Sequence, residues 1–111
     1  MTYTEINNMV RSIGLPYAYR AFRTDDPENP PPKPPFIVYF YRASNDLYAD
    51  NSNYQKIERL CIELYTDYKE PQIEETVTTV LKTHGLTYRR EEVYLEDEQM
   101  LMNIFTMEVL I

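Results

Sequence analysis

The chain has 111 residues, 43% of them hydrophobic, enough for one domain with one modest core and too few for two. Its net charge of -7 leaves no basic footprint for neutralising phosphates, which disfavours tight nucleic-acid binding and an anionic membrane surface. No apolar run approaches the roughly 20 residues of a spanning helix, and the N-terminus lacks the basic, apolar, small-residue order of a signal peptide.

Cys61 is the single cysteine, so an intrachain disulfide is excluded and a reduced thiol in a cytosolic protein is the simplest reading. Tyrosine occurs 11 times and tryptophan not at all. Tyrosine joins apolar area to a polar tip, which suits partly buried positions, subunit contacts included.

In chain order, Thr2 and Glu5 are spaced as a capping box. Ile6, Met9, Val10 and Ile13 then recur at helical spacing, and Gly14 with Pro16 ends the helix. Residues 17–22 read as a short strand. Residues 23–35, RTDDPENPPPKPP, form a loop, because prolines fix φ and withhold backbone donors. The PxxP spacings Pro31/Pro34 and Pro32/Pro35 match ligands of SH3-type grooves, but the segment lies inside the domain, so a stiff connecting arm is the favoured reading.

Residues 36–68 organise the rest: two β-patterned runs joined by a polar loop. Alternation in each run predicts that Phe36, Val38, Phe40, Leu60, Ile62 and Leu64 gather on one face of a ribbon. Between the runs, Asn45, Asp46, Asp50, Asn51 and Asn53 favour turns, and the EF-hand pattern with its central Gly and final Glu is missing. The same loop presents Leu47 and Tyr48 as candidate contacts to a partner. On that reading Tyr48→Asp leaves the fold intact and weakens association.

Pro71 opens a second helix with Glu74 and Glu75 favourable to its dipole, and Ile73, Val77, Val80 and Leu81 form its buried stripe. Gly85 closes it. His84 has no second histidine or nearby cysteine with which to complete a metal site. Residues 86–111 read as a hairpin whose last arm is apolar on both faces, with Asn103 interrupting the row of Leu101, Phe105, Met107 and Val109. That pattern suits a central strand or one covered by a neighbouring chain. Glu91, Glu92, Glu96, Asp97 and Glu98 make an acidic patch toward the turn, read as solvated charge.

The expected architecture is therefore a single α+β domain over 1–111. It has a mainly antiparallel sheet of four to five strands, two helices on one face, and the order α-β-β-β-α-β-β. With only Gly14 and Gly85, a glycine-rich phosphate loop is impossible, and no Ser–His–Asp or Cys–His constellation is present. An enzymatic role has no positive support.

The succession of helix, short strand, proline-rich loop, PPFIVYFY (34–41), NDLYADN (45–51), ELYTDYKEP (63–71), amphipathic helix and terminal hairpin resembles a family of small virion-assembly proteins. These are the tail terminator and tail-to-head joining proteins of tailed phages and prophages of Gram-positive bacteria, and the likeness spans about 13–111. The resemblance implies a non-enzymatic protein without a cofactor. It implies a ring, typically a hexamer, that caps the tail tube and meets the head-completion or connector protein, made in the host bacterial cytoplasm and ending in the virion. Such a family carries no reactive residues to transfer one by one. Pro32, Tyr39, Tyr41, Leu47 and Tyr48 are the candidate interface positions. The alternative is a small ligand-binding or regulatory α+β domain, also non-enzymatic, in which tyrosine rows line a pocket.

Overall fold

Local sequence sets both ends of the first helix. In the computed structural model, which describes residues 1–42 and 56–111 and, between them, the backbone of Leu47–Tyr48 and Tyr54–Gln55, helix α1 spans Tyr3–Ser12. Thr2 Oγ1 accepts from the Glu5 N–H at 3.1 Å and Glu5 Oε1 accepts from the Thr2 N–H at 3.2 Å, the expected capping box. Ile6, Met9, Val10 and Ile13 are buried, and Gly14 turns the chain out of the helix at φ 91°.

Strand β1, Tyr17–Tyr19, pairs in parallel with β2, Phe36–Tyr41. It ends three residues earlier than the alternation predicts, because Arg20 adopts φ 69° and bends the chain away. Parallel neighbours need a long crossover. The proline-rich 20–35 segment supplies it without a helix, which explains where its stiffness is used. After β2 come the two-residue strands β3, Leu47–Tyr48, and β4, Tyr54–Gln55, paired with each other. The turn residues Asn45, Asp46, Asp50, Asn51 and Asn53, compared above with the EF-hand pattern, lie outside the described residues.

Strand β5, Ile57–Thr66, leads to helix α2, Pro71–Thr83, with Pro71 in its first turn and Gly85 at φ 71° just beyond its end. Val77 and Leu81 are fully buried, while Ile73 and Val80 pack at the rim. Strands β6, Tyr88–Leu95, and β7, Met100–Leu110, form the terminal hairpin. The five-stranded sheet has the order β1-β2-β5-β7-β6, antiparallel except at β1–β2. Strand β7 is thus an internal strand, the first of the two readings that its apolar rows allow.

Register decides which rows meet the helices, and here the expected facing of β2 is corrected. Ile37 stands opposite Leu64, Tyr39 opposite Ile62 and Tyr41 opposite Leu60. Directly opposed residues share a face, so Ile37 and Tyr39, not Phe36, Val38 and Phe40, join Leu60, Ile62 and Leu64. The same face continues into β7 with Phe105, Met107 and Val109, and both helices close over it to complete one core. A shift of one residue in pairing exchanges the faces of a whole strand. Alternation in β2 fits either phase, so the sequence pattern alone does not select between them.

Candidate interaction surface

The opposite face of the sheet carries Phe36, Val38 and Phe40 from β2, then Cys61, Glu63 and Tyr65 from β5. Met102, Ile104 and Thr106 of β7 follow, then Arg89, Glu91 and Val93 of β6. Neither helix packs here, since their buried apolar residues all belong to the cluster on the other side. One corner is covered from within the protomer. Phe22 meets Phe36 edge-on at 5.3 Å, Phe36 stacks on Tyr65 at 4.9 Å, and the Arg20 guanidinium lies 5.5 Å from the Phe40 ring. Crowding by these neighbours leaves Val38 and Cys61 buried. Burial, with the Glu63 charge second, pushes the Cys61 thiol up, so it stays protonated. Beyond that corner Met100, Met102, Ile104 and Leu95 are half-buried, and Val93 is exposed. These side chains leave apolar area at a sheet face that neither helix covers, a position at which another protein can pack.

The strip is flanked by charge of opposite sign at its two ends. Arg42, Arg59 and Arg89 surround a groove of about 820 Å³ floored by Ile104 and Thr106. Arg59 and Glu108 approach to 3.9 Å, a solvent-exposed pair, and Glu91 also lines the groove. At the far end, β6 and β7 are joined by a turn bearing Glu96, Asp97 and Glu98, all exposed. A smaller hollow of about 430 Å³ lies within the crossover, beside Phe22, Asp25, Asp26 and Pro30. Arg23 donates to both Asp25 carboxylate oxygens at 3.1 and 2.9 Å and holds that carboxyl below its usual range. Asn29 and the Glu28 N–H do the same for Asp26. These contacts shape the arm.

Beneath the helices the sequence reading missed a polar cluster. Glu74 of α2 is buried at 3% exposure, accepts from Lys69 Nζ at 2.7 Å, and accepts from Arg90. Arg90 also donates to Asn103 Oδ1 at 3.2 and 3.0 Å, and Lys69 reaches Glu92 at 2.7 Å. These carboxylates hold the Lys69 ammonium pKa above its ordinary value, Glu74 first and Glu92 second. The clue was Asn103, a polar residue in an apolar row, which needs a buried partner. Every strong donor here is matched to an acceptor, so the cluster ties α2 to the hairpin and offers no free reactive group. His84 is exposed, with Nδ1 2.9 Å from the Val80 carbonyl oxygen. Among the described residues no three His, Cys, Asp or Glu side chains are grouped to hold a metal, and no helix is long and apolar enough to cross a membrane.

Of the candidate interface residues, Tyr39 and Tyr41 lie on the helix side of β2, with ring centroids 6.4 Å apart. Tyr39 is 6% exposed and its hydroxyl donates to Asn7 Oδ1 at 2.8 Å, so it belongs to the core and offers no outer contact. Tyr41 is half-buried and meets Tyr3 edge-on at 5.3 Å, at the β1 edge where Tyr19 is also exposed. Pro32 is half-buried in the crossover, away from this pair in the fold. The side chains of Leu47 and Tyr48 lie outside the described residues. Sequence reading did not single out Phe40, Tyr65, Met102 and Ile104 as a surface. The second apolar row of β7 was the available signal.

No protein-family model matches the chain, and no curated protein matches it. Its fold is similar to that of a chain in a solved structure described as the virion of a native gene transfer agent particle. The TM-score is 0.56 at 12% identity, over 92% of this chain and 82% of that one. Likeness at that identity is one of fold, and it extends over nearly the whole α+β architecture.

Proposed function

We propose that this chain is a virion structural protein, a tail terminator or head–tail joining protein that forms a ring at the head-proximal end of a phage tail. The observation that carries the reading is the near end-to-end likeness of fold to a chain from a gene transfer agent virion. The open sheet face supports it, because a strip of Met102, Ile104 and Val93 flanked by charge is suited to packing against other proteins. The role is non-enzymatic and uses no cofactor. Its partners are copies of itself, the tail tube protein and the head-completion or connector protein. A contact repeated about an axis closes into a ring when the rotation allows. Synthesis and assembly take place in the host bacterial cytoplasm, and the protein ends in the tail or neck of the particle.

Deleting the reading frame in the phage or prophage that encodes it tests the role. Free filled heads beside unjoined or abnormally long tails, seen by electron microscopy, are the expected result. Normal virions refute it.

A further inference from the structure

From the placement of charge on the helix-free face we infer that a second copy of this chain covers that face, its acidic β6–β7 turn seated on the arginine end of its neighbour. This inference rests on the assembly reading above and names the surface through which copies meet. Three observations converge. The face is apolar along Met102, Ile104 and Val93 and is left open by both helices. Arg42, Arg59 and Arg89 stand together at one end, offset only in part by Glu91 and Glu108. Glu96, Asp97 and Glu98 stand exposed at the end reached by the β6–β7 turn.

The occupant follows from that polarity. A partner of one sign throughout meets attraction at one end and repulsion at the other. A nucleic acid is further repelled by a chain of net charge -7. A second copy brings both the carboxylates for the arginine groove and an apolar strip. Charge fixes the register of the contact, and burial of the apolar strip contributes the affinity.

Sedimentation velocity on the purified full chain tests this with two charge-reversed variants, Arg59→Glu/Arg89→Glu and Glu96→Lys/Asp97→Lys/Glu98→Lys. The wild type is expected to self-associate reversibly, and added salt is expected to weaken it. Each variant alone is expected to associate roughly a hundredfold more weakly, because like charges then face each other. Mixing the two variants in equal amounts is expected to restore association, since each groove again meets a turn of opposite sign. A wild type that remains monomeric up to its solubility limit overturns the inference, as does a mixture that stays dissociated while both variants keep the wild-type circular dichroism spectrum. If a reversed variant melts early, the milder Arg59→Gln/Arg89→Gln and Glu96→Gln/Asp97→Asn/Glu98→Gln proteins replace it, and unchanged association in both overturns the inference. Charge-dependent association together with normal virions after gene deletion removes the tail role and leaves the interface. Defective particles together with charge-indifferent association do the reverse.

Discussion

Arg90 of β6 donates to Glu74 of α2 across the helix–sheet boundary, placing a cation against a carboxylate that is only 3% exposed. Lys69 and Asn103 complete its surroundings. Removing one member of a buried pair leaves the other desolvated without compensation, typically at about 3–5 kcal/mol. Here Lys69 and Arg90 are 49% and 35% exposed at their side chains, so water relieves part of that cost. Glu74→Gln is therefore expected to destabilise the fold by about 2–3 kcal/mol, read as a lower midpoint in urea at unchanged slope. A midpoint equal to that of the wild type shows that the cluster contributes no net stability.

Three tyrosines are expected to give the fold an alkaline limit. Burial is the main cause pushing the phenols of Tyr39, Tyr41 and Tyr65 above their ordinary value. The hydrogen bond from Tyr65 to Glu63 Oε1 at 2.8 Å adds to the effect there. In the unfolded chain these groups ionise near about pH 10. The native state still holds its protons when the unfolded state has lost them, so the unfolded state binds fewer protons and stability falls with rising pH. The stabilisation is complete below about pH 10 and is lost progressively above it, toward the raised folded values. Melting temperature followed from about pH 8 to 11 is expected to stay level and then drop, and Tyr65→Phe is expected to soften the drop. A melting temperature flat across that window shows that these phenols reach water in the folded protein.

Helix ends and the positions of the long strands were legible because they depend on local chemistry. Thr2 and Glu5 form the cap their spacing implies, Gly14 and Gly85 adopt the positive φ that ends each helix, and Pro71 opens α2. Facing was not legible for β2. Its alternate residues are all apolar or aromatic, so either phase buries a suitable row, and only pairing with β5 selects Ile37 and Tyr39. That selection turned Tyr39 inward and placed Phe40 on the surface. Arg90, Glu74 and Asn103 meet from three elements far apart in sequence. Nothing in the spacing of those three residues announces the cluster. The charge polarity of the open face has the same origin, since Arg42, Arg59 and Arg89 become neighbours only when β2, β5, β7 and β6 align.

Neighbouring positions in β7 separate folding from assembly. Phe105 is fully buried among the helices, whereas Met102 points to the helix-free face and is half-buried there. Phe105→Ala leaves a cavity in a core that cannot collapse freely, so a loss of about 3–5 kcal/mol is expected in chemical denaturation. Met102→Ser removes apolar area that the protomer itself covers only in part, and its stability is expected to stay within about 1 kcal/mol of the wild type. In sedimentation the order reverses. Folded Met102→Ser is expected to associate more weakly than wild type, because the proposed contact between copies buries the rest of its strip. A Met102→Ser protein that unfolds as readily as Phe105→Ala places that strip in the protomer's own core, and the open face then ceases to be an assembly surface.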